Sequence, residues 1–467
     1  MEFSFVLMMV FLIMGLIWVL NLVLRKVNCW VHESKLGDKK YSLPPGEYGL
    51  PFIGNMWFFL RAFKSSNPDS FTNYFFTRFG KTGMYKAFMF GSPSIIVTSP
   101  DICRKVLNDD EHFKPGWPLS TTELMGKKSF IAIPYEEHKR LRKLTAAPIN
   151  GHEALSNYIE CIEELSIATL NNLSRMGEIE FLTQIRKLTF RIIMYIFLTS
   201  VGQPVMEALE KEYTKLNLGV RAMAINIPGF AYHTALQKLV AVFQTIVDER
   251  RALKKTGVAV KAKKDMMDAL LEVEDDNGRK LTDEEIIDVL LMYLNAGHES
   301  SAHTIMWATV LLQQHPEFLQ KAKAEQEEIV KNRPVGQKGL TLKEIRKMTY
   351  LSQVVDETLR WVSFSLVVFR EALSDVKMND PEVWPEPLKF DPSRWDNDFV
   401  PKVGTFVPFG LGSRLCPGND LAKLEISIFL HYFLLDYRIE RVNPKCPVQF
   451  LPHRRPTDNC LARVEKI

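Results

Sequence analysis

A lone cysteine stands near the C-terminus in Pro408-Phe409-Gly410-Leu411-Gly412-Ser413-Arg414-Leu415-Cys416-Pro417-Gly418, and a helical run, Asp420 to Phe433, follows at once. The helix dipole, loop amide N–H groups and a nearby guanidinium all favour a thiolate at such a position. Three glycines let the backbone approach something flat and large. The plainer alternative is a buried cysteine in a turn. Three further groups carry chemistry. Ala296-Gly297-His298-Glu299-Ser300-Ser301 puts a glycine, an acid and two hydroxyls inside an apolar-periodic run, either a polar groove or a helix kink or packing notch. Glu357 and Arg360 are spaced for one helix face, with Arg394 in a later loop; alone, that spacing is a solvated surface pair. His138-Lys139-Arg140-Leu141-Arg142 is a basic cluster, either an anion site, a docking face or a solvated face.

These groups need long elements to hold them. Thr282-x-x-Glu285 is a capping box opening a helix that runs to about Gln314, where His315-Pro316 stops it. A second box, Thr341-x-x-Glu344, precedes the helix of Glu357 and Arg360. A hairpin is predicted over Met84 to Thr98, with Gly91-Ser92-Pro93 as its turn. Strands are otherwise few. Phe5 to Leu24 carries no charge, and twenty helical residues span about 30 Å, the thickness of a bilayer's hydrocarbon core. Arg25 and Lys26 follow it, which leaves the remaining chain in the cytosol. The division expected is an anchor at 1–26, a Pro-rich lead-in at 27–54 around Leu43-Pro44-Pro45-Gly46, and one large domain at 55–467.

Composition narrows the classes. The 467 residues would allow about three average domains. With 30 Phe and 46% apolar residues, the chain is not disordered. A net charge of +4 leaves no basic excess for nucleic acid. Six cysteines without a CxxC pair indicate a reducing compartment and no structural zinc. No dinucleotide-binding glycine fingerprint occurs, so nicotinamide is not bound by this chain.

The spacing Phe409-x-x-Gly412-x-Arg414-x-Cys416-x-Gly418 resembles the cysteine-ligand loop of the haem-thiolate monooxygenases, the cytochrome P-450 superfamily. That resemblance implies a mainly α fold, a single large domain with small β-sheets behind one transmembrane helix. It implies haem b (iron protoporphyrin IX) with Cys416 as axial iron ligand, whose thiolate favours O–O cleavage of bound O2. Glu357, Arg360 and Arg394 would form the family's structural triad. Glu299 would gate protons and the Ser300 hydroxyl would hold water against dioxygen, Ser standing where the family more often has Thr. Arg142 would meet a haem propionate, with His138 replacing the family's Trp, and Arg414 and Arg370 are further propionate ligands. Electrons would come from a membrane-bound NADPH–cytochrome P-450 reductase.

Longer stretches look like the plant ent-kaurenoic acid oxidases. They include Phe113-Lys114-Pro115-Gly116-Trp117-Pro118, Ile185 to Arg191, Leu294 to Ser301 and Arg455 to Arg463. The resemblance implies successive oxidation of a hydrophobic terpenoid acid toward gibberellins, in the endoplasmic reticulum membrane; a triterpenoid or steroid hydroxylase is the alternative. Trp117 and Phe364 to Phe369 would line the pocket. One departure stands out. Met378-Asn379 runs directly into Asp380-Pro381, where relatives have a strand, a turn and another strand, about 15–20 residues at usual strand lengths. The second expectation is therefore an anchored, inactive chain lacking a hairpin beside the haem.

Overall fold

The computed structural model describes residues 2–37, 41–199, 202–223, 231–255, 265–364, 367–374, 389–396, 405–451 and 453–467. The junction at Met378–Pro381 and residues 365–366 lie outside them.

One helix organises the molecule. It runs from Asp283 to Gln314, opened by the expected box: Thr282 Oγ1 accepts from the Glu285 amide at 3.2 Å, and the Glu285 carboxylate accepts from the Thr282 amide at 2.8 Å. Pro316 cannot continue the ladder and starts the next helix, Pro316–Lys331. Almost every side chain of the long helix is buried, so it crosses the core and does not lie on it. Helices Phe181–Phe197, Thr349–Val362 and Asn419–Asp436 pack on its sides, and His152–Leu173 packs on the last of these. The main apolar cluster fills the space between them.

Sheets are small. Met84–Met89 pairs antiparallel with Ser92–Val97, and a second cluster, including Phe59, Phe71, Phe75 and Tyr85, lies under this hairpin. Its turn is Phe90-Gly91, one residue earlier than the sequence indicates, because both residues take positive φ (52° and 82°) and a two-residue turn of that kind matches strand twist. Ser92 and Pro93 therefore belong to the second strand. Among the described residues its outer edge has no partner strand, and Ile95 is 44% exposed. Phe113–Pro115 pairs with Arg370–Ala372, a short ladder between distant parts of the chain.

The N-terminal helix extends from Glu2 to Ser34, past the expected anchor boundary at residue 26. From Val6 to Leu20 its side chains are exposed on every side, and its length and hydropathy make it a candidate membrane span. Its last turns dock on the domain. Asn28 is buried and donates to the Tyr48 and Gly49 carbonyls at 3.2 Å each, Arg25 pairs with Glu47 at 2.6 Å, and Glu33 pairs with Lys86 at 2.7 Å. The lead-in is tied down too, since Lys86 exchanges backbone hydrogen bonds with Pro45 and Glu47. All six cysteines are free thiols.

Candidate active site

Cys416 sits where a glycine-shaped loop meets the helix Asn419–Asp436. Its amide donates to the Phe409 carbonyl at 2.8 Å, which folds the loop back on itself. Gly410 and Gly412 both take positive φ, and a Cβ at Gly412 would lie 2.5 Å from the Leu107 carbonyl oxygen, so the loop closes on the helix Pro100–Asn108 only with glycine there. Phe409 is half-buried beside the sulfur's loop, with the Lys423 ammonium 6.0 Å from its ring centre. Burial pushes the Cys416 thiol above its ordinary range, while the Gly418 amide and the Arg142 charge act in the opposite sense. The sequence reading gave the dipole and the guanidinium the upper hand. In the folded protein burial outweighs them, so a cation bound at the sulfur is what would complete the thiolate.

Four basic groups converge near this loop. His138 is buried on the helix Tyr135–Asn150, and Arg142 lies one turn on. Burial, then the charges of Arg414, Arg142 and Arg370, push His138 down to about 3, so its imidazole is neutral. Burial and the Arg370 charge bring Arg414 down to about 10, and burial lowers Arg370. Arg414 donates to the Phe130 carbonyl at 2.9 Å and Arg370 to that of Phe369 at 3.0 Å. None of the three arginines has a carboxylate within 4 Å among the described residues. Three half-buried guanidiniums act on one imidazole, with the Asp110 charge felt by Arg370 and Arg414 but no carboxylate in ion-pair contact among the described residues, which makes a site for an anionic ligand.

The middle of the long helix faces the same region. The helix continues through Gly297, where a Cβ would lie 3.0 Å from Ile193 Cδ1, so the glycine gives a packing notch against the helix Phe181–Phe197. Ala296 is exposed between half-buried Asn295 and Gly297, and Ser300 donates to the Ala296 carbonyl at 2.7 Å. Glu299 turns to a different side and is 2% exposed. It pairs with Arg186 at 3.0 Å and accepts from Asn217 at 3.0 Å. His298 and His303 lie 3.6 and 3.4 Å from its oxygens. The structure brings no hydrogen bond between Glu299 and Ser300. Arg186 and Asn217 escaped the sequence reading. The available signal was one arginine among the inward positions Leu182, Ile185 and Thr189 of a buried helix.

Glu357 is fully buried and accepts from Arg360 twice, at 2.7 and 2.8 Å. The Asp391 amide and the Trp395 indole add bonds at 2.8 and 3.1 Å, and Arg394 lies 3.7 Å away. The surface-pair alternative is thereby excluded. Trp117 and Phe369 meet with ring centres 5.1 Å apart, joined by the ladder that pairs Pro115 with Arg370. Phe364 is not with them. It stacks on His453 at 4.0 Å and lies edge-on to His303 at 5.6 Å, at the side of the long helix.

The family model described as "Cytochrome P450" matches residues 44–380 and 377–455, two stretches that overlap at 377–380, the junction where a strand pair was expected. Ent-kaurenoic acid oxidase 1 of Arabidopsis thaliana is 66% identical, over 95% of each chain. Ent-kaurenoic acid oxidase of Oryza sativa subsp. japonica is 53% identical, over 95% of this chain and 93% of that one. The 7,8-epoxymelianol synthase CYP88A154 of Ailanthus altissima is 50% identical over an alignment of 491 residues, longer than this chain, covering 100% of it and 98% of the relative. Among solved structures, a retinoic acid-bound cyanobacterial CYP120A1 superposes with a TM-score of 0.80 at 25% identity, over 92% of this chain and all of that one.

Proposed function

The chain belongs to the cytochrome P450 family, and from that premise we propose that it oxidises ent-kaurenoic acid, a hydrophobic diterpene acid, on the route to gibberellins. It is a haem-iron monooxygenase with a membrane-anchoring helix. The 66% identity to an ent-kaurenoic acid oxidase over nearly the whole chain carries the substrate reading.

The residues fit a haem. A cysteine in a glycine-shaped loop supplies one soft iron ligand, and Arg142, Arg370 and Arg414, with no carboxylate in ion-pair contact among the described residues, fit two propionates. Haem b is the form this donor set would hold, through Cys416 and no covalent attachment. Bound there, haem supplies the activation of O2 for C–H oxidation. The chain's own residues do the rest. Neutral His138 can donate one hydrogen bond beside the arginines. Ser300 presents a hydroxyl next to the exposed Ala296. Glu299, held by Arg186 and Asn217, keeps a buried carboxylate on another side of the helix, so its proposed part in proton delivery does not run through a direct bond to Ser300. Trp117 and Phe369 offer apolar surface to the terpenoid, and Val367 and Val368, 42% and 50% exposed, extend it. Phe364 serves as a wall of the His303–His453 cluster. Electrons come from NADPH–cytochrome P-450 reductase, and Arg25 and Lys26 after the apolar run support a cytosolic domain on a single-pass anchor in the endoplasmic reticulum membrane.

A second reading, an anchored chain without turnover, is favoured by the two-part family match and by the open edge of Ser92–Val97. One experiment separates them: a carbon monoxide difference spectrum of the reduced protein in microsomes. A thiolate-type Soret band that Cys416→Ser abolishes supports the enzyme, and feeding ent-kaurenoic acid should then yield oxidised diterpene acids. No band in the native chain would establish the inactive reading.

A further inference from the structure

The turn that leads into the helix Met56–Lys64 carries large apolar side chains that neither the core nor the proposed reaction uses. Phe52 is 96% exposed, Ile53 54% and Trp57 64%. Phe52 also takes a φ of 63°, a left-handed conformation that is unfavourable for an aromatic residue. The fold holds it there. The Gly54 amide donates to the Leu50 carbonyl at 2.8 Å. Asn55 is fully buried and binds Phe88 twice: its amide donates to the Phe88 carbonyl, and its side-chain oxygen accepts from the Phe88 amide, each at 2.9 Å. A Cβ at Gly49 would lie 2.5 Å from the Gly54 carbonyl oxygen, so the turn is closed tightly on itself. A braced turn of this kind projects its apolar side chains by construction.

The membrane helix grips the same turn. Asn28 donates to the Tyr48 and Gly49 carbonyls, and Arg25 pairs with Glu47, which also accepts from Tyr74. From Leu24, the end of the charge-free run, to Asn28 the helix rises about 6 Å. The polar zone of a bilayer extends about 5–8 Å beyond each side of its hydrocarbon. The grip therefore sets the turn at the depth of that zone, where amphipathic aromatic rings are favoured. Trp30, 70% exposed, follows Asn28 by two residues on the same helix. The helix Met56–Lys64 brings charge of the matching sign. It buries Phe59, Ala62 and Phe63, while Trp57, Arg61 and Lys64, spaced i, i+4 and i+7, share its exposed side.

We propose that Phe52, Ile53 and Trp57 form a second membrane contact, seated among the headgroups and upper acyl chains of the leaflet from which the anchor emerges, with Arg61 and Lys64 toward lipid phosphates. The occupant is lipid, because the patch is continuous with the spanning helix through Asn28 and its cations suit anionic headgroups. Two contacts joined by a buried asparagine fix the tilt of the domain on the membrane, which a single flexible tether would leave free. This reading rests on the membrane anchor and is independent of the substrate.

The test places the full-length chain in phosphatidylcholine–phosphatidylserine vesicles whose acyl chains carry bromine either near the headgroup or near the chain end. Bromine quenches the fluorescence of indoles it touches. Trp57→Phe should remove part of the quenching by shallow bromine and none of that by deep bromine. Trp18 lies within the span, and Trp18→Phe should remove quenching by deep bromine. Phe52→Ser combined with Ile53→Ser should lower the shallow quenching at unchanged Tm, since both side chains are exposed and the core keeps its packing. Shallow quenching that neither change lowers, while Trp18 is still quenched, would overturn the proposal and leave the anchor standing. Quenching of neither Trp18 nor Trp57 would overturn both. A Trp57 shielded from aqueous iodide yet untouched by lipid bromine would mean a protein partner at this patch, which also overturns the lipid contact.

Discussion

At the scale of single residues, the site depends most on buried charge that is fully matched. Glu357 has no solvent contact, and its two oxygens take four hydrogen bonds from Arg360, Asp391 and Trp395. Arg360→Lys keeps the charge but cannot reproduce the two-pronged contact, so stability should fall by about 1–3 kcal/mol. Glu357→Ala should cost more, about 3–5 kcal/mol, because it removes the buried carboxylate that pairs with Arg360 and lies 3.7 Å from Arg394. Haem content per protein and thermal unfolding would measure both, and Arg360→Lys should lose less haem than Glu357→Ala. The Glu-x-x-Arg spacing was visible in the sequence, and so were Arg394 and Cys416. The bonds from Trp395 and the Asp391 amide were not, since they depend on a loop more than thirty positions away folding onto one carboxylate. Arg186 was hidden for the same reason: its partner Glu299 is remote in sequence.

At the scale of elements, the long helix is the clearest case of local signals and tertiary packing in agreement. Both ends are marked in the sequence, by Thr282 and by Pro316, and both marks lie where the helix begins and ends. Thr282→Ala removes one half of the capping box and should lower stability by about 1 kcal/mol, read as a small drop in Tm with the carbon monoxide spectrum unchanged. Packing rather than capping holds the helix, so loss of its cap should not unfold it. What the pattern left undecided was the rotation of Glu299 away from Ala296 and Ser300. Adjacent helical residues point about 100° apart, so one side chain meets Arg186 and the next faces the groove. The hairpin turn moved for a local reason: proline is compatible with a strand whose outer edge is unpaired, while Phe90 and Gly91 took the positive φ angles.

At the scale of the whole molecule, two features set how the domain sits and how completely it closes. The anchor is not loosely tethered, because Asn28 is buried against Tyr48 and Gly49 at the end of the same helix. The flanking ion pairs are partly exposed and contribute about 1 kcal/mol or less each, so Asn28 should dominate. Asn28→Leu is expected to speed limited proteolysis of the segment leading to Tyr41 markedly, and Lys86→Glu to speed it only slightly. The second feature is the missing strand pair. Inserting the strand–turn–strand of a relative between Met378 and Pro381 should raise haem per protein and cover the edge of Ser92–Val97, measured as a higher carbon monoxide band at equal protein. Equal haem before and after insertion would show that the open edge does not limit assembly.

The sequence by itself determined the chemistry and its frame: one cysteine in a glycine loop, an apolar segment long enough for a bilayer, a capped helix through the core, and an interruption at Met378–Pro381. Those are local patterns, each set by backbone sterics, hydrogen-bond spacing or length. The tertiary structure alone decided which charges meet. It buried Cys416 deeply enough to raise its thiol, gathered Arg142, Arg370 and Arg414 around His138, and turned Glu299 to Arg186. Desolvation and pairing depend on distances between remote elements, and sequence spacing does not encode them.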